Sequence, residues 1–88
     1  MKRYTIVLTR TAEKELYKLP GKVIEKIVTV LKSFEENPRP AGCKKLKGYK
    51  NLWRARLGDY RIIYTIKEVI SLVDVREIGD RKDIYDKL

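Results

Sequence analysis

The chain has 88 residues, of which 38% are charged and 43% apolar, and it carries a net charge of +9. That length fits one domain, placed at residues 1–88, with a modest core. No apolar run nears the roughly 20 residues of a membrane span, and MKRYTIVLTR lacks the pattern of a secretory signal. Histidine is absent and there is one cysteine. This excludes an internal disulfide and histidine-based nucleophiles or metal sites, and fits a reducing cytoplasm.

RYTIVLT, alternating around Tyr4, Ile6 and Leu8, predicts an opening strand. Thr9 or Thr11 can cap the next helix, whose Ala12, Leu16 and Leu19 share a face until Pro20-Gly21 ends it. A longer helix is predicted over about 22–36, with Ile24, Ile27, Val28, Leu31 and Phe34 at helical spacing for packing on a sheet. Asn37-Pro38 stops it, and PRPAG makes a stiff surface loop. Glu25 and Glu35 among the outward lysines speak against a DNA-reading helix–turn–helix.

The period then switches to two. CKKLK reads as a short basic strand, GYKN as a turn, and residues 52–57 and 60–66 as a hairpin about Gly58-Asp59. A glycine-led two-residue loop suits the primed turns that match strand twist. A second hairpin is predicted to turn at Lys67-Glu68 into VISLVDVREI, after which Gly79 turns and Asp80 caps a short last helix. The order β-α-α-β-β-β-β-α predicts an α+β fold: a small antiparallel sheet with two N-terminal helices on one face and a short C-terminal helix.

The charge is uneven. Residues 39–67 carry +8, against +3 for residues 1–38 and −2 for residues 68–88. Such concentration points to a polyanion partner. In LWRARLGDYRIIY, a Gly58-Asp59 loop pairs Leu57 with Tyr60, Arg56 with Arg61, Ala55 with Ile62 and Arg54 with Ile63. Cross-strand partners share a face, so Trp53, Ala55, Leu57, Tyr60, Ile62 and Tyr64 face the helices while Arg54, Arg56 and Arg61 converge on the other side. Like charges set directly opposite destabilise a sheet. The same turn logic sets Asp74 opposite Arg61, and one aspartate does not balance three arginines. Phosphate is the natural counter-ion for planar, forked donors. Arg81 and Tyr85, four apart on the last predicted helix, share a face that can close the open side of this cluster.

LKGYKNLWRARLGDYRIIYTI, followed by VREIGDRKDIY, resembles the RelE/ParE toxin superfamily of bacterial and archaeal toxin–antitoxin systems. The likeness covers nearly the whole chain, including the two helices broken at LPGK. It implies a RelE-like fold of microbial-ribonuclease type. For the RelE branch it implies a toxin that enters the ribosomal A site, cuts mRNA there, and is neutralised by a cognate antitoxin wrapped around it. The branch's basic third strand, the arginine after the hairpin turn, the C-terminal arginine and the tyrosine beyond it match Arg54 and Arg56, Arg61, Arg81 and Tyr85. ParE-branch toxins share the fold, act on DNA gyrase and generally lack this full set.

The resemblance makes Arg61, Arg81, Tyr85 and Arg56 the candidate catalytic residues. Arg54, with Lys44, Lys45, Lys47 and Lys50 of the preceding basic stretch, is assigned to RNA binding. No metal or cofactor is expected. The 2′-hydroxyl attacks the adjacent phosphate, Arg61 and Arg81 stabilise the phosphorane, and Tyr85 stacks on a base or moves a proton. Arginine does not deprotonate, and Asp80 stands where many relatives have histidine, so none of these groups is a strong base. Weak activity on free RNA follows, with the ribosome aligning the attacking oxygen. The expected partners are the antitoxin and a ribosome with its mRNA and rRNA. No membrane is expected, and DNA is met only through the antitoxin complex. The rival readings are a gyrase inhibitor and a binding module that does not cut.

Overall fold

The computed structural model describes residues 3–80. Strand β1 (Thr5–Leu8) leads into helix α1 (Arg10–Tyr17), and Thr9 is the cap between them. Its extended backbone (φ −65°, ψ 162°) lets Oγ1 accept from the Ala12 N–H at 3.1 Å. Helix α2 (Gly21–Ser33) starts directly after Pro20 and ends three residues earlier than predicted, where residues 34–36 turn. Among the described residues no helix is long and apolar enough to cross a membrane.

Four strands follow: β2 (Lys44–Lys45), β3 (Trp53–Leu57), β4 (Tyr60–Lys67) and β5 (Leu72–Asp80). The five-stranded sheet has the order β1-β5-β4-β3-β2. Strands β2 to β5 pair antiparallel, whereas β1 joins β5 in parallel, so the sheet is mixed where an antiparallel one was expected. A parallel partner requires a long crossover, and here everything between β1 and β5 supplies it.

Both helices lie on one face of the sheet. Ala12, Leu16, Ile27, Leu31 and Phe34 form the buried core with Ala55, Ile62, Tyr64, Ile66, Val73, Val75 and Ile78. Phe34 and Tyr64 stack with ring centroids 4.6 Å apart. The Tyr64 hydroxyl donates to the Pro38 carbonyl at 2.7 Å, tying the proline loop to the core, and burial pushes this phenol well above the usual tyrosine range. A second tie runs through Glu68, which accepts from the Tyr4 hydroxyl (2.7 Å) and from Arg39 (2.6 Å) while Arg39 lies over Trp53.

Two local predictions fail. The second hairpin turns through residues 68–71, closed by Ser71 N–H to the Glu68 carbonyl at 3.2 Å, with Ser71 at φ 51°. The longer loop moves the register, so Asp74 sits opposite Thr65 and accepts from Arg76 at 3.1 Å, away from Arg61. Gly79 does not turn, and the cap predicted at Asp80 belongs to a helix outside the described residues. Both residues continue β5, with Gly79 opposite Arg61 and Asp80 opposite Tyr60. The predicted last helix, with Arg81 and Tyr85, lies outside the described residues.

Candidate phosphate-binding face

The β3–β4 hairpin has the register its sequence predicts: Trp53 with Tyr64, Arg54 with Ile63, Ala55 with Ile62, Arg56 with Arg61, Leu57 with Tyr60. Gly58 carries the positive φ (59°) that a type II′ turn needs at its first central position. Period-two alternation then puts Ala55, Ile62 and Tyr64 in the core beneath the helices and Arg54, Arg56 and Arg61 on the opposite face.

Two of these arginines are buried, Arg54 at 8% exposure and Arg61 at 4%, while Arg56 is exposed. The Arg61 Nη1 donates to the carbonyls of Gly58 (3.2 Å) and Tyr60 (3.1 Å), which hold the guanidinium from the turn side. Its Nε is buried and has no hydrogen-bond partner among the described residues. Neutral carbonyls orient this cation and do not cancel its charge. Among the described residues no carboxylate pairs with it, and a desolvated charge costs several kcal/mol unless paired, which makes this face a candidate anion site.

The lysines divide. Lys44 is opposite Arg54 and joins the arginine face, whereas Lys45 is opposite Trp53 and falls on the reverse face. Lys47 and Lys50 are exposed in the 46–52 loop, which Leu46 N–H closes onto the Leu52 carbonyl at 2.8 Å. A cleft of about 410 Å³ runs beside β3, lined by Lys44, Arg54, Arg56 and Cys43 among others. Among the described residues no three His, Cys, Asp or Glu side chains gather as a metal site.

One residue of this face escaped the sequence reading. Between Ile63 and Tyr64 the β4–β5 register shifts: Tyr64 is opposite Val75 and Ile63 opposite Glu77, leaving Arg76 as the extra residue of a bulge. Glu77 therefore shares the arginine face. The signal was the three-residue step between the core positions Val75 and Ile78, where a regular strand steps by two.

A five-stranded sheet with two helices on one face and Arg54, Arg56 and Arg61 on the other defines a small α+β domain. Residues 6–85 match the model of a family described as the ParE toxin of type II toxin–antitoxin system, parDE. Toxin RelE of Mycobacterium tuberculosis is 31% identical over 83 residues, covering 93% of this chain and 86% of that one. Toxin RelE3 of Methanocaldococcus jannaschii is 29% identical over 85 residues, covering 92% and 94%. The crystal structure of the toxin–antitoxin complex RelBE2 from M. tuberculosis superimposes with a TM-score of 0.81 at 27% identity, covering 90% of this chain and 99% of the matched chain. The chain belongs to the ParE toxin family of type II toxin–antitoxin systems, and it is a toxin of RelE type.

Proposed function

We propose that this toxin is a metal-independent, ribosome-dependent endoribonuclease that cuts mRNA in the ribosomal A site. The observation that carries the reading is Arg61, a guanidinium almost fully buried, oriented by two backbone carbonyls, and set among Arg54 and Arg56. Arg61 and Arg81 hold the scissile phosphate and stabilise the charge that grows on it, each donor contributing roughly 3–4 kcal/mol to the transition state. Arg56 positions the attacking 2′-hydroxyl, Arg54 and Lys44 hold flanking phosphates, and Lys47 and Lys50 extend the basic path. Tyr85 stacks on the neighbouring base. The 2′-oxygen bonds to phosphorus, the P–O5′ bond breaks, and a 2′,3′-cyclic phosphate and a 5′-hydroxyl result.

The toxin acts in the cytoplasm on a ribosome with its mRNA and rRNA. Its other partner is a cognate antitoxin, a reading supported by the toxin–antitoxin complex RelBE2 of a similar chain, and the basic face is the surface that antitoxin would cover. DNA is met only through that complex. A second reading, inhibition of gyrase, is favoured by the parDE description of the matching family. Primer extension on mRNA in a purified translation system separates the two. Ribosome-dependent breaks support the nuclease, whereas intact mRNA together with blocked supercoiling supports the gyrase reading.

A further inference from the structure

Cleavage by 2′-hydroxyl attack needs a proton acceptor, and arginine cannot serve. The chain has no histidine. Two carboxylates share the arginine face in β5, Asp74 and Glu77, and they differ in what surrounds them. Asp74 is opposite Thr65, beyond the bulge, and its Oδ2 accepts from Arg76 at 3.1 Å. Glu77 is opposite Ile63, which is itself opposite Arg54, and it is the diagonal neighbour of Arg61. Diagonal neighbours lie about 7–8 Å apart, within reach of long side chains.

The bulge puts Glu77 there. Without the extra residue, regular pairing on from Tyr64 and Val75 would set Arg76 opposite Ile63 and Glu77 opposite Ile62, in the core. Ile78 would face the arginines. With it, Ile78 is opposite Ile62 and fully buried, and Glu77 falls on the arginine face. Helix α1 and its cap hold the irregular backbone. The Thr9 hydroxyl donates to the Arg76 carbonyl at 3.1 Å, Thr9 N–H donates to the Val75 carbonyl at 2.9 Å, and Ile78 N–H donates to the Glu15 carboxylate at 3.3 Å. Bulges are concentrated beside active sites, where they re-aim a side chain. This one is fastened on both sides of the residue it re-aims.

We propose that Glu77 is the general base of this toxin, taking the proton of the attacking 2′-hydroxyl while Arg61 holds the adjacent phosphate. The proton passes to the Glu77 carboxylate as the 2′-oxygen bonds to phosphorus. The P–O5′ bond then breaks, and the 5′-oxygen takes a proton from water. This assignment rests on the ribonuclease reading and adds to it the group that the arginines lack. Thr9 and Glu15 are positioning residues, acting through the bulge.

The test is single-turnover cleavage on saturating, mRNA-programmed ribosomes, comparing wild type with the isosteric Glu77→Gln and with Glu77→Asp. Melting temperature and ribosome affinity are measured alongside. Removing a general base costs roughly 10²- to 10⁴-fold in rate. The expected result is a loss of that order in Glu77→Gln, with ribosome affinity within about 3-fold of wild type. Glu77→Asp should cut faster than Glu77→Gln. Arg54 and Arg56 of β3, Arg61 of β4 and Asp74 of β5 share the face of Glu77 by register, Arg76 is next to it in sequence, and Glu15 of α1 accepts from the neighbouring Ile78 N–H; the substitutions retain all of them. The ratio of wild-type to Gln rates should therefore shrink toward one as the pH falls through the Glu77 titration. A Gln variant that cuts at the wild-type rate overturns the assignment, as does a loss explained by weaker binding or by a pH-independent ratio. Absence of cleavage by the wild-type chain would instead overturn the ribonuclease reading.

Discussion

Arg56 lies directly across the β3–β4 hairpin from Arg61, two permanent cations paired on one face of the sheet. Like charges so placed destabilise a sheet by about 0.2–1 kcal/mol relative to neutral pairs. Arg56→Thr is therefore expected to raise stability by an amount in that range, while lowering mRNA cleavage. Urea denaturation checks the first effect and primer extension the second. A variant that gains neither stability nor loses cleavage would show the pairing to be neutral.

The cap of α1 carries two loads. Thr9 Oγ1 accepts from Ala12 N–H and donates to the Arg76 carbonyl in the bulge. Loss of a cap costs about 1 kcal/mol, while the Arg76 carbonyl, whose bond to Thr9 is exposed, can turn to water. Thr9→Ala should thus be destabilised by about 1 kcal/mol, and Thr9→Ser, which keeps the hydroxyl, by far less. Chemical denaturation of the three chains compares them.

The hairpin's reach into the site came through clearly in the residues, and the reason is physical. Gly58-Asp59 limits the loop to two residues, and a two-residue loop dictates every pairing behind it. The next hairpin was misread because Val69 and Ile70 look like strand residues. They are the exposed middle of the 68–71 loop, whose Ser71 takes a left-handed backbone that no glycine announces. That displaced Asp74 from its expected place. The bulge at Arg76 escaped for a related reason: period-two reasoning has no slot for an extra residue, and only the Val75–Ile78 spacing betrays it. The parallel partnership of β1 with β5 joins strands far apart in sequence, and local periodicity carries no information on it.

Gly58 has a requirement of its own. At φ 59° it pays no Cβ penalty, and its carbonyl orients Arg61. Gly58→Val and Gly58→Ala should each cost about 1–3 kcal/mol in stability, because an L side chain is strained at the first position of a type II′ turn. Thermal melts with a cleavage assay on each variant test both consequences.

Tyr64 ties pH to stability through the proline loop. Its hydroxyl donates to the Pro38 carbonyl, and burial raises its folded-state pKa above the ordinary value near 10. A group raised on folding contributes stability that is fully present below the unfolded pKa and is lost as pH rises through the folded one. Stability should be insensitive to this residue at neutral pH and decline above about pH 10. Tyr64→Phe should remove that part of the alkaline decline, at the expense of about 1–2 kcal/mol from the unpaired carbonyl. Denaturation midpoints across pH 8–12 for both chains measure it.

The central claim is that Arg61 stabilises a phosphate during cleavage. The most direct measurement is single-turnover mRNA cleavage on programmed ribosomes by wild type, Arg61→Ala and Arg61→Lys, with ribosome affinity determined for each. The account predicts a loss of roughly 10²- to 10³-fold in Arg61→Ala, the magnitude for one preorganised donor. Arg61→Lys should recover only part of it, because a point charge does not replace a fork, and binding should change little. Cleavage by Arg61→Ala at the wild-type rate, with its fold intact, would contradict the account.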